Sequence, residues 1–336
     1  MTQAEYTMPL SVSSATRQKA FSRPLALFIA VVLCALPFVL SGYQTFTATQ
    51  LLVYAIAIQG LNLLTGYSGQ ISFGHSAFYA IGAYTVAILV SHFGLSYAAG
   101  LAFAAVLCLV VGFLFGLPAL RFEGHYLALA TFALAVAVPQ LLKFKAFQDW
   151  TGGVQGLVLD KPDAPFGLPL NSDQWLYFLT LLIAVVVFLA TRNLTRGRIG
   201  RALLAIRDQP TAAASMGVDL AFHKTSIFGV SAMLTGLAGG LSAIIIQFVA
   251  PDSFSWFLSI TFVVGALVGG LGSLSGPFYG ALFIQFVPEI SDKVFHEAPL
   301  MPYGILLIVF MFVLPTGVSG LVETALAWSH KRMRGL

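Results

Sequence analysis

The amino-acid sequence predicts an all-α fold, a polytopic transmembrane helical bundle of about ten spans with some broken or re-entrant at glycine-rich segments. Three observations carry that reading. Of 336 residues, 58% are hydrophobic and 9% charged, against about 25% charged in an average soluble domain. Apolar runs of about 20 residues, enough for a helix across the hydrocarbon core, recur along the chain. Lys and Arg gather in alternate connections between the runs, as the positive-inside rule requires. A soluble enzyme is excluded, because too few polar side chains exist to cover a water-facing surface. The runs are also too long and continuous for barrel strands.

Taken in order, the spans fall at 24–41, 47–65, 71–91, 95–117, 123–142, 174–191, 225–248, 256–273, 277–291 and 302–322. The run at 71–91 opens on polar residues. The Gly-rich stretch 256–291 reads as two crossings or as a re-entrant loop. With both termini cytoplasmic, 13 of the 17 basic residues lie inside, and Lys143, Lys145, Lys161 and Lys293 lie outside. An error of one helix would scramble that split. The division that follows is a cytoplasmic tail 1–23, a transmembrane domain 24–322 and a basic cytoplasmic tail 323–336. Within the domain, a cytoplasmic loop spans 192–224 and a periplasmic loop 143–173. The run after Arg23 is too long for a signal-peptide core and is expected to stay as an uncleaved anchor. Cys34 and Cys108 sit in apolar runs, which excludes a disulfide framework.

Three segments carry more than apolarity. In the loop 192–224, Ala202, Leu203, Ala205 and Ile206 follow a helical period. Pro210 stops that helix and opens another, and Gly217 is placed to end it. A lipid-resting amphipathic loop is one reading. Ala and Gly in place of bulky anchors favour a docking element for another protein. The second segment, 65–84, has Gly66, Gly69, Gly74 and Gly82 to weaken helix, with Gln70, Ser72, His75 and Ser76 bringing polar atoms to membrane depth. Such backbone is tolerated inside protein or along a water-filled cavity. Pathway lining and close packing glued by Ser and His hydrogen bonds both remain open, with Tyr79 among the candidates. The third segment, 265–281, repeats part of the second, Phe278-Tyr279-Gly280 echoing Phe78-Tyr79-Ala80, a weak internal repeat of the kind transporters carry. Its alternative is a tight turn between two close-packed helices.

Several chemistries find no support. Gly74-His75-Ser76 resembles an intramembrane protease motif, but no second histidine is placed to form a dyad. No metal-ligand spacing occurs, no dinucleotide fingerprint or P-loop is present, and the scattered basic residues do not make a nucleic-acid surface. Intramembrane acids are scarce, whereas proton- or sodium-driven carriers bury them as relays. The energy is therefore expected from another subunit. No catalytic, cofactor or metal residue is assigned.

Gly200-Arg201-Ala202, Ala205-Ile206-Arg207-Asp208 and Gly217-Val218 closely resemble the cytoplasmic coupling region of LivM-type permeases of branched-chain amino acid ABC importers. Similar blocks are Asn62-Leu63-Leu64-Thr65-Gly66-Tyr67-Ser68-Gly69, the run Gly74 to Tyr84, Gly124-His125-Tyr126, Thr151-Gly152-Gly153-Val154-Gln155-Gly156 and Gly269 to Pro277. The resemblance implies a bacterial inner-membrane permease subunit paired with a LivH-like subunit. It also implies two cytosolic ATPases, which hold the ATP and Mg, and a periplasmic substrate-binding protein. Gly200, Arg201, Ala202, Ala205, Ile206, Arg207, Asp208 and Gly217 would form the ATPase-coupling element, with Arg201 and Arg207 supplying charge-assisted hydrogen bonds. Gly66, Gly69, Gln70, Ser72, Gly74, His75 and Tyr79 would line the substrate pathway. Relatives that carry urea, amides or aromatic acids stay open as alternatives, as does a self-sufficient secondary transporter or channel.

Overall fold

The computed structural model describes residues 23–121, 124–164 and 169–294, together with 304, 308, 309, 312, 316–322 and 324. The chain forms α1 (Arg23–Val39), α2 (Gly42–Asn62) with a π-helical turn (Leu63–Tyr67), α3 (His75–Ser91), α4 (Tyr97–Ala119) and α5 (His125–Leu142). Then come α6 (Gln148–Thr151), β1 (Leu157–Val158), α7 (Ser172–Arg196), α8 (Arg198–Asp208), α9 (Pro210–Ser215) and α10 (Leu220–Ile246). They are followed by β2 (Phe248–Val249), a 3-10 turn (Pro251–Phe254), α11 (Trp256–Gly269) and α12 (Gly276–Val294). Among the described residues, five helices are long and apolar enough to cross a membrane: α2 with its π turn, α4, α5, α7 and α10. Helices α3 and α11 are apolar but shorter. The chain is an all-α helical membrane protein. Residues 1–22 of the N-terminal tail, most of the span read at 302–322 and nearly all of the tail 323–336 lie outside the described residues.

Helix starts follow local chemistry. Ser96 accepts the Ala99 N–H ahead of α4, and Asp219 accepts the Phe222 N–H ahead of α10, the N-cap arrangement that satisfies an orphan donor. Before α2 and α7, the Gln44 and Gln174 side chains reach back to the N–H of Ser41 and Asn171, both at 3.1 Å. Each forms the reciprocal half of a capping box. The expected span at 71–91 begins late: α3 starts at His75, and residues 69–74 run as irregular chain. The cause is Gly69, held at φ +72°, in the left-handed region that glycine enters without a Cβ clash.

Helix α10 is the centre of the bundle and packs against α2, α3 and α4. Glycine makes that closeness possible. A Cβ on Gly82 of α3 would strike the backbone carbonyl of Gly236, and one on Gly239 would strike that of Tyr79. On the α4 side, a Cβ on Gly112 would meet Ala232, and on the α2 side one at Gly60 would come within 2.8 Å of the Ser231 carbonyl. Small residues at such contacts let helix backbones approach in a bilayer, where apolar burial alone gives no drive to associate. Several polar side chains inside the bundle, Ser72, His75, Ser76, Ser231 and Ser259 among them, are hydrogen-bonded, as described below.

The bundle has two differently built ends. At one, α7 runs into α8 and α9, and α11 and α12 form an antiparallel pair joined by the turn Gly270–Ser275. At the other, β1 pairs antiparallel with β2, Leu157 opposite Val249. Gly156, at φ +73°, lies so close that a Cβ there would strike the Val249 carbonyl. Lys143 at the end of α5 bonds Asp252 at 2.5 Å, and Lys161 bonds Asp173 at 2.5 Å. The stretch 143–164, expected to be a connecting loop, is thus stitched to the ends of α7 and α10.

Candidate functional site

The three singled-out segments meet at the α8 end. Helix α2 finishes in a π-helical turn, a rare geometry that recurs at functional sites. The last carbonyls of any helix lack partners within it. Here Arg207 of α8 supplies one: its Nη1 donates to the Gly66 carbonyl at 2.7 Å. A cation at a helix C-terminus also meets the negative end of the macrodipole. The Arg207 stem lies on Gly69, whose added Cβ would sit 2.9 Å from Cγ. On its other side, Arg207 Nε donates to Asp208 at 3.0 Å, with the Arg side chain 38% exposed.

The third segment closes on the same turn. Asn62, almost fully buried, donates Nδ2–H to the Ser273 carbonyl at 2.7 Å and accepts the Gly272 N–H on Oδ1 at 2.7 Å. One amide therefore clamps the turn between α11 and α12 onto the end of α2. Gly66 must be glycine here, since a Cβ would collide with the Gly272 N and lie 2.6 Å from Asn62 Oδ1. Gly270 and Gly272 hold φ of +111° and +76°, a backbone path that residues with a Cβ resist. Beside this junction lies a cavity of about 220 Å³, bordered by Gly69, Gln70, Leu127, Arg207, Pro210 and Lys224. Gln70 Nε2 donates to Ser68 Oγ at 2.5 Å within its wall.

Helices α8 and α9 are formed as the sequence reading places them, with Pro210 opening α9 and Gly217 at φ +83° behind it. Gly200, Leu203 and Ile206 are buried, and a Cβ on Gly200 would hit the Thr195 carbonyl where α8 turns off α7. Arg201, Ala205, Asp208 and Gly217 face outward, and Ala202 is half-buried. Arg207 stands apart from this set, with its guanidinium engaged inside the chain. A residue the sequence reading missed is Met216, 85% exposed at the end of α9. A lone Met before a glycine carries no periodic signal, so only the fold reveals it as an apolar knob.

The remaining pathway candidates divide. Ser72 and His75 are buried, and their bonds run in series. Ser231 Oγ donates to the Gly60 carbonyl at 2.6 Å, so His75 Nε2, 2.7 Å away, must be the donor to Ser231. His75 Nδ1 is then left to accept from Ser72 Oγ at 3.2 Å, and Ser72 accepts the Gly74 N–H. A hydroxyl has one proton to give and a neutral imidazole one N–H, so that pattern is fully determined. Ser259 of α11 adds a bond to Ser76 at 2.8 Å. The series ties α2, α3, α10 and α11 together. Gly74 packs on Thr131 of α5. Tyr79 lies elsewhere, on the wall of a second cavity toward the β1–β2 end. No group of three His, Cys, Asp or Glu among the described residues is placed to hold a metal ion.

Comparison with known proteins agrees with this architecture. The family described as branched-chain amino acid transport system / permease component matches residues 43–314. The high-affinity branched-chain amino acid transport system permease protein LivM of Salmonella typhimurium is 30% identical over 354 residues, covering 98% of this chain and 82% of that protein. LivM of Escherichia coli gives the same identity and coverage. The probable branched-chain amino acid transport permease protein LivH of Methanocaldococcus jannaschii is 28% identical over 153 residues, 43% of this chain and 46% of that one. With a match across most of its length, the chain belongs to the branched-chain amino acid transport system permease family.

Proposed function

We propose that the chain is the permease subunit of an ATP-driven importer of branched-chain amino acids, working beside a LivH-like sister subunit. It crosses a bacterial inner membrane about ten times with both termini cytoplasmic, so that α8 and α9 face the cytosol and β1–β2 the periplasm. Two cytosolic ATPases carry the ATP and Mg, and a periplasmic binding protein delivers substrate. The permease itself contributes no catalytic group. The similarity of one chain to both LivM and LivH proteins supports a pair of related permeases.

The observation that carries the coupling role is the Arg207 bond to Gly66. The outward face of α8 and α9 carries Arg201 and Asp208 beside the small residues Ala205, Ala212 and Ala214, with Met216 as an apolar projection. That surface suits insertion into a cleft of another protein. Displacement of α8 then pulls on the π turn through the guanidinium, and on the α11–α12 turn through Asn62. The exposed handle and the broken helices of the pathway move as one mechanical unit.

The test is reconstitution of the complete importer in lipid vesicles. Wild type is expected to accumulate L-leucine only with ATP and loaded binding protein. Arg207→Glu should remain assembled in the membrane and lose most ATP-coupled uptake, because its carboxylate repels the Gly66 carbonyl it replaces a donor for. Solute movement by the purified permease alone, without nucleotide, overturns the reading.

A further inference from the structure

The second cavity, about 110 Å³, lies near the β1–β2 end between α2, α3, α10 and α11, with Phe254 of the 3-10 turn over it. It is bordered by Gln50, Tyr54, Tyr79, Ser242, Phe254 and Leu258. Gln50 is the feature that needs explanation. It is 6% exposed, and its Oε1 has no hydrogen-bond partner among the described residues. A buried carbonyl left so loses its hydration with nothing in return, a cost that an apolar residue at the same place would not carry. An unfilled acceptor at a cavity wall calls for a ligand that brings an N–H.

The rest of the wall narrows the ligand. Tyr79 stands against Phe254, with ring centroids 6.0 Å apart, and against Phe262 at 5.4 Å. Leu258 adds aliphatic surface. Ser242 and Tyr79 place two hydroxyls on the same wall, able to turn donors toward a carboxylate. No charged side chain among the described residues borders the cavity, so a ligand of net charge fails to recover its hydration. A small zwitterion with an apolar side chain satisfies all of these terms, and the volume is below the roughly 300 Å³ at which drug-sized sites begin.

We propose that this recess binds a small apolar amino acid in transit, with Gln50 Oε1 accepting from the ammonium and the aromatic and aliphatic walls holding the side chain. The assignment rests on the importer reading above and adds where in the chain the substrate is recognised. The test uses the purified importer complex without binding protein, probed by saturation-transfer NMR with L-leucine and with 4-methylpentanoate, the same skeleton without its amine. Wild type is expected to saturate the L-leucine methyls and to give several-fold less transfer to 4-methylpentanoate. Gln50→Leu should lower the L-leucine signal about tenfold, the loss of one hydrogen bond of ~1.4 kcal/mol. Leu258→Trp, at a half-buried wall position tolerant of volume, should abolish it. Complex assembly and the thermal unfolding midpoint serve as folding controls for both variants. Equal L-leucine transfer in wild type and both variants overturns the recess. Wild-type importer that takes up no L-leucine with ATP and binding protein overturns the importer reading, and the recess with it. Uptake that persists unchanged in both variants overturns the recess alone.

Discussion

Small residues crowd two regions of this chain, the α10 core and the α8–α9 arm, and they serve opposite ends in each. Around α10, glycines remove side chains so that the protein's own backbones touch: Gly82 on Gly236, Gly239 on Tyr79, Gly112 on Ala232. Along α8 and α9, Ala205, Ala212 and Ala214 are exposed, so their small size leaves surface open instead of packing the chain's own core. The first region is already saturated with partners. The second leaves its small residues exposed, as the proposed docking role requires. Composition alone treats them alike, and only burial tells them apart.

The comparison breaks most visibly at Gly82. Gly82→Val puts a branched side chain where the Gly236 carbonyl stands. Overpacking of a close core costs about 1–3 kcal/mol, more where backbone must move. Because the colliding atom is backbone, the upper end of that range or beyond is expected. Thermal unfolding in detergent should show a large drop in the midpoint, and the membrane level of the protein should fall. A stable variant would mean that α3 and α10 are not packed as tightly as their glycines imply.

Ala212→Trp is the matched experiment in the arm. Ala212 is exposed on α9, so folding stability should change by no more than about 0.5 kcal/mol. Co-purification of the ATPases should nonetheless fall at least tenfold, an effect of about 1.4 kcal/mol or more. Met216→Glu should act in the same direction, since a carboxylate replaces a strongly projecting apolar side chain. Unchanged ATPase binding in both variants would remove the arm as a docking surface.

Much of this was legible before the fold was known. Helices α2, α4, α5, α7 and α10 announce themselves by apolar length, and the α8–α9 pair by its period, Pro210 and Gly217. Those are local signals. What stayed hidden depends on residues far apart in sequence: Asn62 reaching Gly272 and Ser273, Arg207 reaching Gly66, β1 reaching β2. Neither periodicity nor spacing records which way a long side chain turns. The resemblance assigns Arg207, with Arg201, to hydrogen bonds with a partner ATPase, yet its guanidinium bonds the Gly66 carbonyl of its own chain. The polar residues of the 65–84 segment were equally ambiguous, because Ser and His mark a wet pathway and a dry hydrogen-bond series with the same letters.

Arg207 itself sharpens the contrast, since it belongs to the arm by sequence and to the core by contact. Arg207→Ala removes a charge-assisted bond, a class worth about 1.5–3 kcal/mol when buried. At 38% exposure water replaces part of it, so the stability loss should stay below about 1 kcal/mol. Coupling should suffer more: hydrolysis by the assembled complex continues while substrate moved per ATP falls several-fold. Equal loss of hydrolysis and uptake would instead make Arg207 a docking residue like its neighbours.

The smallest effect is expected at the opposite end. Lys143 and Asp252 are paired at 2.5 Å, but Asp252 is 70% exposed. Such an ion pair contributes about 0–1 kcal/mol and is screened by salt. Lys143→Ala should therefore shift the unfolding midpoint by a degree or two at most, and less still in high salt. The β1–β2 pairing and the packing of Gly156 on Val249 hold this end without the charge. If the shift instead equals that of Gly82→Val, the ion pair is the latch of this end, and the two ends of the bundle are held by different forces: charge here, and backbone contact in the core.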